Sequence, residues 1–496
     1  MVYPSFKEFL ALSNNYNLIP VYCQINADLD TPVSAFLKIK QDDYSFLLES
    51  VEGQEKVARY SFLGSMPSLI FQAKGRKIQI SYPKKRITRT FISETTPLDE
   101  IKKIMQGYNP AQIKGLPRFY GGLVGYMGYD AVRLFEKIPD KNKDDLNLLD
   151  YVFMLTDNIL IFDRVNHTIK IVVNVVLPKS GTKISIKHKK KLYAQAIKDI
   201  ESIKKDFGRP VFIRNREYST ETYKNKITSN FTPAQFKASV KKVKDYIRKG
   251  DIIQSVLSQR FKIKVKRPAF DIYRRLRKLN PSPYMFFLKL KDVSLIGSSP
   301  EMLVRCEEGV IQTRPIAGTR PRGQTPKEDR RLEKELLRDA KEKAEHLMLV
   351  DLGRNDLGRV SKTGSVRVTD FMHIEKYSHV MHLVSEVSAN LDKRYSIFDA
   401  LKACFPAGTV AGSPKIRAME IIDELENIKR GPYAGCVGYF SFTQNMDTCI
   451  TIRTIVVKDD FAYIQAGAGI VADSQPAREH AESVNKARAL IEAITN

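Results

Sequence analysis

Tryptophan is absent from the 496 residues, and cysteine occurs only five times, at positions 23, 306, 404, 436 and 449. An odd set of widely spaced cysteines with no C-x-x-C pair excludes a disulfide framework and a cysteine-based zinc site. Long apolar runs are missing as well. The longest, around 169–177, is interrupted by Lys170 and Asn174, whereas a membrane span needs ~18 consecutive apolar residues. After Met1 the chain reads Val2-Tyr3-Pro4-Ser5-Phe6-Lys7, without the charged stretch and apolar run of a secretory signal. These absences lead us to expect a cytoplasmic protein with no membrane contact. No repeat of about 20–50 residues recurs, which excludes solenoids and propellers.

What the chain does have is charge and bulk. Its 81 Lys and Arg exceed 56 Asp and Glu by 25, and 43% of its residues are hydrophobic, with 25 Phe and 22 Tyr. That composition belongs to folded globular proteins. A strongly basic chain suits nucleic acid, an anionic surface or a small acidic substrate, and charge alone does not choose among them. The most basic tract, 183–191, opens a helical pattern and has no interleaved aromatic residues, so a solvated helix start accounts for it as well as a nucleic-acid contact does.

From 44 to 176 the chain reads as short β-runs, at 44–49, 59–63, 69–73, 78–82, 123–129, 159–163 and 169–176, separated by Gly, Pro, Asn and Asp. Residues 209–230 are polar and irregular and read as a linker between an N-terminal portion, 1–208, and a C-terminal portion, 231–496. Thr232-Pro233-Ala234-Gln235 is a capping box, with Gly250 as the stop, and 252–265 reads as a long strand. Thr325-Pro326-Lys327-Glu328 repeats the box and begins a charged helix expected to run to Val350. A helix from Ser413-Pro414 to 426, strands at 435–442, 448–457 and 461–466, and a last helix over 476–494 complete the pattern. Long meanders flanked by helices, without βαβ alternation, indicate an α+β fold.

Two motifs fail in context. Gly467-Ala468-Gly469-Ile470-Val471-Ala472 matches a dinucleotide fingerprint, but Pro476 breaks any helix beginning there and no βαβ unit can close. Its glycines still let backbone N–H groups approach an anion. Ala434-Gly435-Cys436-Val437-Gly438 lacks the first glycine and the following helix of a nucleophile elbow. More informative are two carboxylate pairs. Glu342 and Glu345 share a helix face, and Glu479 and Glu482 repeat the spacing on the last helix. Converging, they would form an oxygen-rich site for Mg²⁺; the same spacing is also common on solvated helices. His382 stands among apolar residues as an acid–base candidate or as a satisfied core histidine.

The segment Gln312-Thr313-Arg314-Pro315-Ile316-Ala317-Gly318-Thr319-Arg320-Pro321-Arg322-Gly323 resembles the signature of chorismate-utilising enzymes. Together with Glu345-His346-Leu347-Met348-Leu349-Val350-Asp351-Leu352-Gly353-Arg354-Asn355-Asp356-Leu357, it is similar to the large subunits of anthranilate synthases, and the similarity runs from Thr31 to Lys486. The resemblance implies a sandwich of two large antiparallel sheets with outer helices. It also implies Mg²⁺-dependent conversion of chorismate and ammonia to anthranilate and pyruvate, the first step of tryptophan biosynthesis. In that family pattern Glu301 is the general acid that protonates the leaving ring hydroxyl, and His382 transfers a proton in the elimination. Glu345 and Glu482 are direct metal ligands, with Glu342 and Glu479 outside them. Arg453 and Lys486 meet the substrate carboxylates, where a permanent cation is the requirement. Tyr433 and Thr409 match polar contacts, and Gly318, Thr319, Gly467, Ala468 and Gly469 match backbone contacts.

Two positions select among relatives. Gln254 stands where isochorismate and salicylate synthases place a water-activating Lys, and Ala317 where aminodeoxychorismate synthases commonly place a nucleophilic Lys. Both favour direct attack by ammonia; an aminodeoxychorismate synthase subunit is the alternative. No glutaminase Cys-His-Glu arrangement is visible, so the resemblance implies a separate glutamine amidotransferase subunit. Phe46-Leu47-Leu48-Glu49-Ser50 and Asn280-Pro281-Ser282-Pro283-Tyr284-Met285 match the paired elements that bind tryptophan as feedback inhibitor in the family, with Glu49, Ser50, Pro283, Tyr284 and Met285 as the contacting residues.

Overall fold

The computed structural model of the chain describes residues 1–39, 42–51, 59–178, 184–210, 227–377 and 380–495. Among these, the strands form two large antiparallel sheets. The first runs, neighbour to neighbour, through Leu18–Asn26, Thr168–Val176, Asn158–Asp163, Tyr60–Ser65, Tyr44–Glu49, Tyr284–Leu290, Val293–Ser299, Thr454–Lys458, Phe461–Ile470 and Gln254–Lys264. The second runs through Ile316–Pro321, Val380–Asn390, Val310–Thr313, Met302–Glu307, Met446–Ile450, Cys436–Ser441, Gly122–Met127, Tyr151–Thr156, Leu69–Lys74, Lys77–Tyr82 and Ile87–Ile92. Strands from either side of residues 209–230 are hydrogen-bonded neighbours in both sheets.

Strand alternation explains why two sheets and a helical layer pack together. In Tyr284–Leu290, Phe286 and Leu288 enter one core with Phe71, Tyr151, Phe153 and Phe440 of the second sheet. Met285 and Phe287 point the other way, into a core shared with Phe36, Tyr273, Leu276 and Leu490 on the helices. The fold is therefore an α+β sandwich with helices outside, as the sequence leads one to expect.

Local signals hold where side chains cap backbone groups. Thr232 accepts from Gln235 N, and Gln235 Oε1 accepts from Thr232 N, starting the helix Pro233–Arg248. At Thr325 only half the expected box forms: Thr325 Oγ1 accepts from Glu328 N, while Glu328 Oε2 accepts from Gln324 N instead. The single helix expected from Thr325 to Val350 is two, Pro326–Arg338 and Ala340–Gly358. Asp339 makes the break, because its carboxylate accepts from Lys341 N (3.0 Å) and Glu342 N (3.2 Å) and so caps a new helix. Gly353 does not end it, since a single helical glycine costs only about 1 kcal/mol.

The strand expected over 448–457 is also two, Met446–Ile450 in the second sheet and Thr454–Lys458 in the first. The chain crosses between sheets at 451–453, with Arg453 at φ +51°. Most of the expected linker, residues 211–226, and Lys183 of the basic tract lie outside the described residues; within the linker, Thr228–Ser229 pairs with the strand Gln254–Lys264. No described helix is long and apolar enough to cross a membrane.

Candidate active site

A cavity of about 570 Å³ opens between the crossing at 451–453, the strands Gln254–Lys264 and Phe461–Ile470, and the helices Ala340–Gly358 and Pro476–Thr495. Its lining includes Gln254, Glu301, Gly318, Thr319, Glu342, Glu345, Thr409, Tyr433, Arg453, Gly467, Gly469, Glu479, Glu482 and Lys486. These come from segments more than 230 positions apart in the chain, and the two carboxylate pairs share the cavity with the cations.

Period-two alternation along Phe461–Ile470 turns Gln465, Gly467 and Gly469 toward this space. Ala468 faces away, fully buried in a small apolar cluster with Phe236, Val240 and Leu257. Glycine is required at 467 by close approach: an added Cβ would meet Leu257 O at 2.5 Å and Tyr433 Oη at 3.0 Å. At 318 it is required by a left-handed φ of +61°, with Leu336 only 2.9 Å from the place of a Cβ.

Glu301 lies at the closed end, 8% exposed. Burial pushes its carboxyl from 4.5 up to about 8, against the smaller opposing pull of the Thr409 hydroxyl and the Lys486 charge. Thr409 Oγ1 is itself buried without a well-formed hydrogen bond, so it lowers that value by proximity rather than by a strong bond. The backbone of Glu301 is fixed by Ile450 N, which donates to Glu301 O at 3.0 Å, while Ser299 Oγ donates to Ile450 O at 2.7 Å.

The cations are anchored to backbone. Arg453 Nη1 donates to Lys486 O at 2.8 Å, and Lys486 Nζ donates to Gly467 O at 3.1 Å and pairs with Glu482 at 2.7 Å. Glu345 accepts from Gln254 Nε2 at 3.2 Å, and Glu342 pairs with Arg320 at 3.3 Å. Burial raises the Glu345 carboxyl, and the neighbouring Glu342 and Glu482 raise it further; Glu479 is likewise raised by burial and then by Glu482. Among the described residues no three His, Cys, Asp or Glu side chains are gathered closely enough to hold an ion unaided.

His382 does not line the cavity but stands behind its wall. Its strand Val380–Asn390 pairs with Ile316–Pro321, and Nδ1 lies 3.1 Å from both Gly318 O and Thr319 Oγ1. A proton on Nδ1 satisfies the carbonyl and leaves Nε2 with a free lone pair. Burial lowers the imidazole pKa, so the ring is neutral near pH 7.

Sequence reasoning missed Lys341, Gln465 and Ser474, which also line the cavity. Gln465 was accessible from period two, two residues before Gly467, and Lys341 from the helix face of Glu345. Cys436 is buried, its thiol pushed up to about 12, which agrees with dismissing it as a nucleophile.

A second, smaller cavity of about 90 Å³ brings together Glu49, Ser50, Pro283, Tyr284 and Met285, with Phe62, Tyr439, Arg305 and Asp447. The two sequence elements meet because Glu49 is opposite Met285 in the first sheet. Both Glu49 oxygens are already engaged, by Arg277 (3.0 and 3.2 Å), Arg164 (3.0 Å) and Tyr273. The polar end of the cavity is Asp447, which accepts from Tyr284 Oη at 3.0 Å and from Arg305 Nε at 3.1 Å.

Comparison with known proteins gives a consistent set of likenesses. The chorismate binding enzyme family matches residues 44–492. The chain is 49% identical over 503 aligned residues to anthranilate synthase component 1 of Acetivibrio thermocellus, covering 100% of this chain and 99% of that one. It is 50% identical over 491 residues to the component 1 of Aquifex aeolicus, covering 99% and 97%. Among solved structures, anthranilate synthase component I from Streptococcus pneumoniae TIGR4 superposes with a TM-score of 0.75 at 35% identity, covering 94% of this chain and 98% of that one. A menaquinone-specific isochorismate synthase from Escherichia coli superposes at 0.70 with 18% identity, covering 99% and 98%, which is a likeness of fold alone.

Proposed function

The chain belongs to the chorismate-binding enzymes, and on that premise we propose that it is the chorismate-converting component of an anthranilate synthase, making anthranilate for tryptophan biosynthesis. The observation that carries the chemistry is Glu301, a carboxylic acid kept protonated by burial in a cavity that also holds Arg453 and Lys486. Chorismate is a dianion, and the two cations suit its carboxylates. Glu301 donates its proton to the ring hydroxyl, which leaves as water as ammonia adds at C2. Loss of the C2 ring proton to solvent then lets the enolpyruvyl group leave as pyruvate, and neutral His382 acts on this step from behind the wall, through Gly318 and Thr319, to which its Nδ1 lies within hydrogen-bond distance. Ala317 and Gln254 line the same cavity and offer neither a nucleophilic amine nor a base, which disfavours the aminodeoxychorismate and isochorismate reactions.

Mg²⁺ fits the carboxylates present. Glu345 and Glu482, with Glu342 and Glu479 outside them, are an all-oxygen set whose mutual repulsion a divalent cation would relieve, and Mg²⁺ takes its remaining ligands from water and substrate. Bound there, it would supply charge stabilisation at the ring carboxylate. Ammonia comes from glutamine through a separate amidotransferase subunit, and the enzyme is cytoplasmic. The test is product identity from chorismate.

The second cavity is the tryptophan site of this reading, with Phe62 and Tyr439 as the apolar walls, Asp447 and Ser50 at the polar end, and Glu49 tying together the side chains of Arg164, Tyr273 and Arg277 beside it. Because the protein contains no tryptophan, the ligand is the only indole in solution. Titrating tryptophan with protein is therefore expected to give a saturable change in indole emission that parallels loss of chorismate turnover. A turnover loss without saturable emission change would contradict the assignment.

A further inference from the structure

Beneath the catalytic cavity lies a buried ion pair that touches none of its open space. Arg430 and Glu426 are 3% and 4% exposed. They meet in a fork, Arg430 Nε to Glu426 Oε2 at 2.9 Å and Nη2 to Oε1 at 2.7 Å. The guanidinium spends its other donors on two backbone carbonyls: Nη1 on Val410 O and Nη2 on Val256 O, both at 2.7 Å. Its central carbon, Cζ, lies 5.5 Å from the Tyr433 ring centroid and 4.7 Å from that of Tyr129. Glu426 Oε1 in turn accepts from Ser258 N and Oγ, each at 2.8 Å, and Ser258 Oγ accepts from Gln465 Nε2 at 2.8 Å.

Apart from the Tyr129 ring, these ties end at the cavity wall. Val410 adjoins Thr409, the hydroxyl beside Glu301; Val256 is two residues from Gln254; Tyr433 and Gln465 line the cavity themselves. A buried pair adds little to stability compared with apolar groups of the same volume. What it supplies that apolar groups cannot is direction, since a guanidinium presents its donors in one rigid plane.

We propose, on the strength of the functional reading above, that Arg430, oriented by Glu426, is the positioning residue of this active site: it sets the helix carrying Thr409, the strand carrying Gln254 and the Tyr433 ring in one mutual arrangement. Displacing a site by about 1 Å can cost ~10²-fold in rate, while the substrate anchors Arg453 and Lys486 stand on other elements.

The test is steady-state kinetics on two variants beside the wild type. Arg430→Lys keeps the charge next to Glu426 and Tyr433 and loses the planar fork. The double variant Arg430→Met with Glu426→Gln removes both charges while leaving Ser258 an acceptor, which guards against an uncompensated buried charge. We expect folded proteins in which kcat falls ~10-fold for Arg430→Lys and ~10²-fold for the double variant, with KM for chorismate within about 2-fold of wild type. Folded variants with wild-type kcat, or with KM and kcat changed together, overturn the inference. A wild type that makes no anthranilate overturns the functional reading and this inference with it.

Discussion

Glu301→Gln is expected to lower kcat for anthranilate formation by ~10²–10⁴-fold, the range typical of losing a general acid, with KM for chorismate little changed because Arg453 and Lys486 remain. The side chain keeps its shape and loses only the proton that the ring hydroxyl must take. The pH dependence separates this from a packing defect. In the proposed reaction Glu301 acts in its protonated form, and burial places its carboxyl at about 8. Wild-type activity at fixed free ammonia therefore declines as pH rises through about 8, and the residual activity of the variant lacks that decline. Stability moves the same way with pH. The folded protein holds a proton between the ordinary 4.5 and about 8 that the unfolded chain releases, so this group's contribution to stability falls as pH rises through that window. Glu301→Gln removes the loss, and its Tm above pH 8 is expected to equal or exceed that of the wild type.

Glu345→Gln and Glu482→Gln are expected to abolish Mg²⁺-dependent turnover while leaving a folded protein. Each removes one negative charge from a set in which Glu345 is raised by burial and by its neighbours Glu342 and Glu482, so the apo protein loses repulsion rather than support. Glu482 also pairs with Lys486 at 2.7 Å, and its replacement frees that ammonium toward the substrate. Turnover measured against Mg²⁺ concentration, with thermal melting on the same samples, checks both halves. Either variant retaining wild-type dependence on Mg²⁺ would remove that residue from the ligand set.

Sequence reading succeeded where one local pattern answers to one physical cause. β-prone runs bounded by turn residues and by Gly250 placed strands such as Tyr44–Glu49 and Gln254–Lys264, and the Thr232 box located the start of a helix, because chain reversal and capping of free N–H groups act over a few residues. It failed where a single side chain redirects the chain. Asp339 is one acidic residue in a charged helix until its carboxylate is seen capping Lys341 N and Glu342 N, and 448–457 reads as one strand because the crossing at 451–453 has no Gly or Pro to mark it.

The site itself is only partly local. The i,i+3 spacing pairs Glu342 with Glu345 and Glu479 with Glu482, but nothing in spacing brings the two helices to one cavity, and the roles of Glu301, Arg453 and Lys486 came from family resemblance. Ala468 is matched by that resemblance through its backbone alone. Between two cavity-facing glycines, its side chain belongs to the core. Lys341 and Gln465 lie on faces that periodicity already defines, whereas Arg430 and Glu426 sit past a helix end, where no period applies.

Charge illustrates the same distinction. The excess of 25 positive charges suits several partners, yet Arg453 and Lys486 are the cations assigned to chorismate here. Many of the others are exposed, Lys187, Lys190 and Lys191 among them, where salt screens charge over about 10 Å.

Product identity tests the account most directly. The purified chain is incubated with chorismate, Mg²⁺ and an ammonium salt at alkaline pH, without any amidotransferase, and the products are separated and followed by fluorescence. Anthranilate and pyruvate are expected in equal amounts, both formed ~10²–10⁴-fold more slowly by Glu301→Gln. Accumulation of isochorismate, or of an aminated product that retains its pyruvyl group, would contradict it.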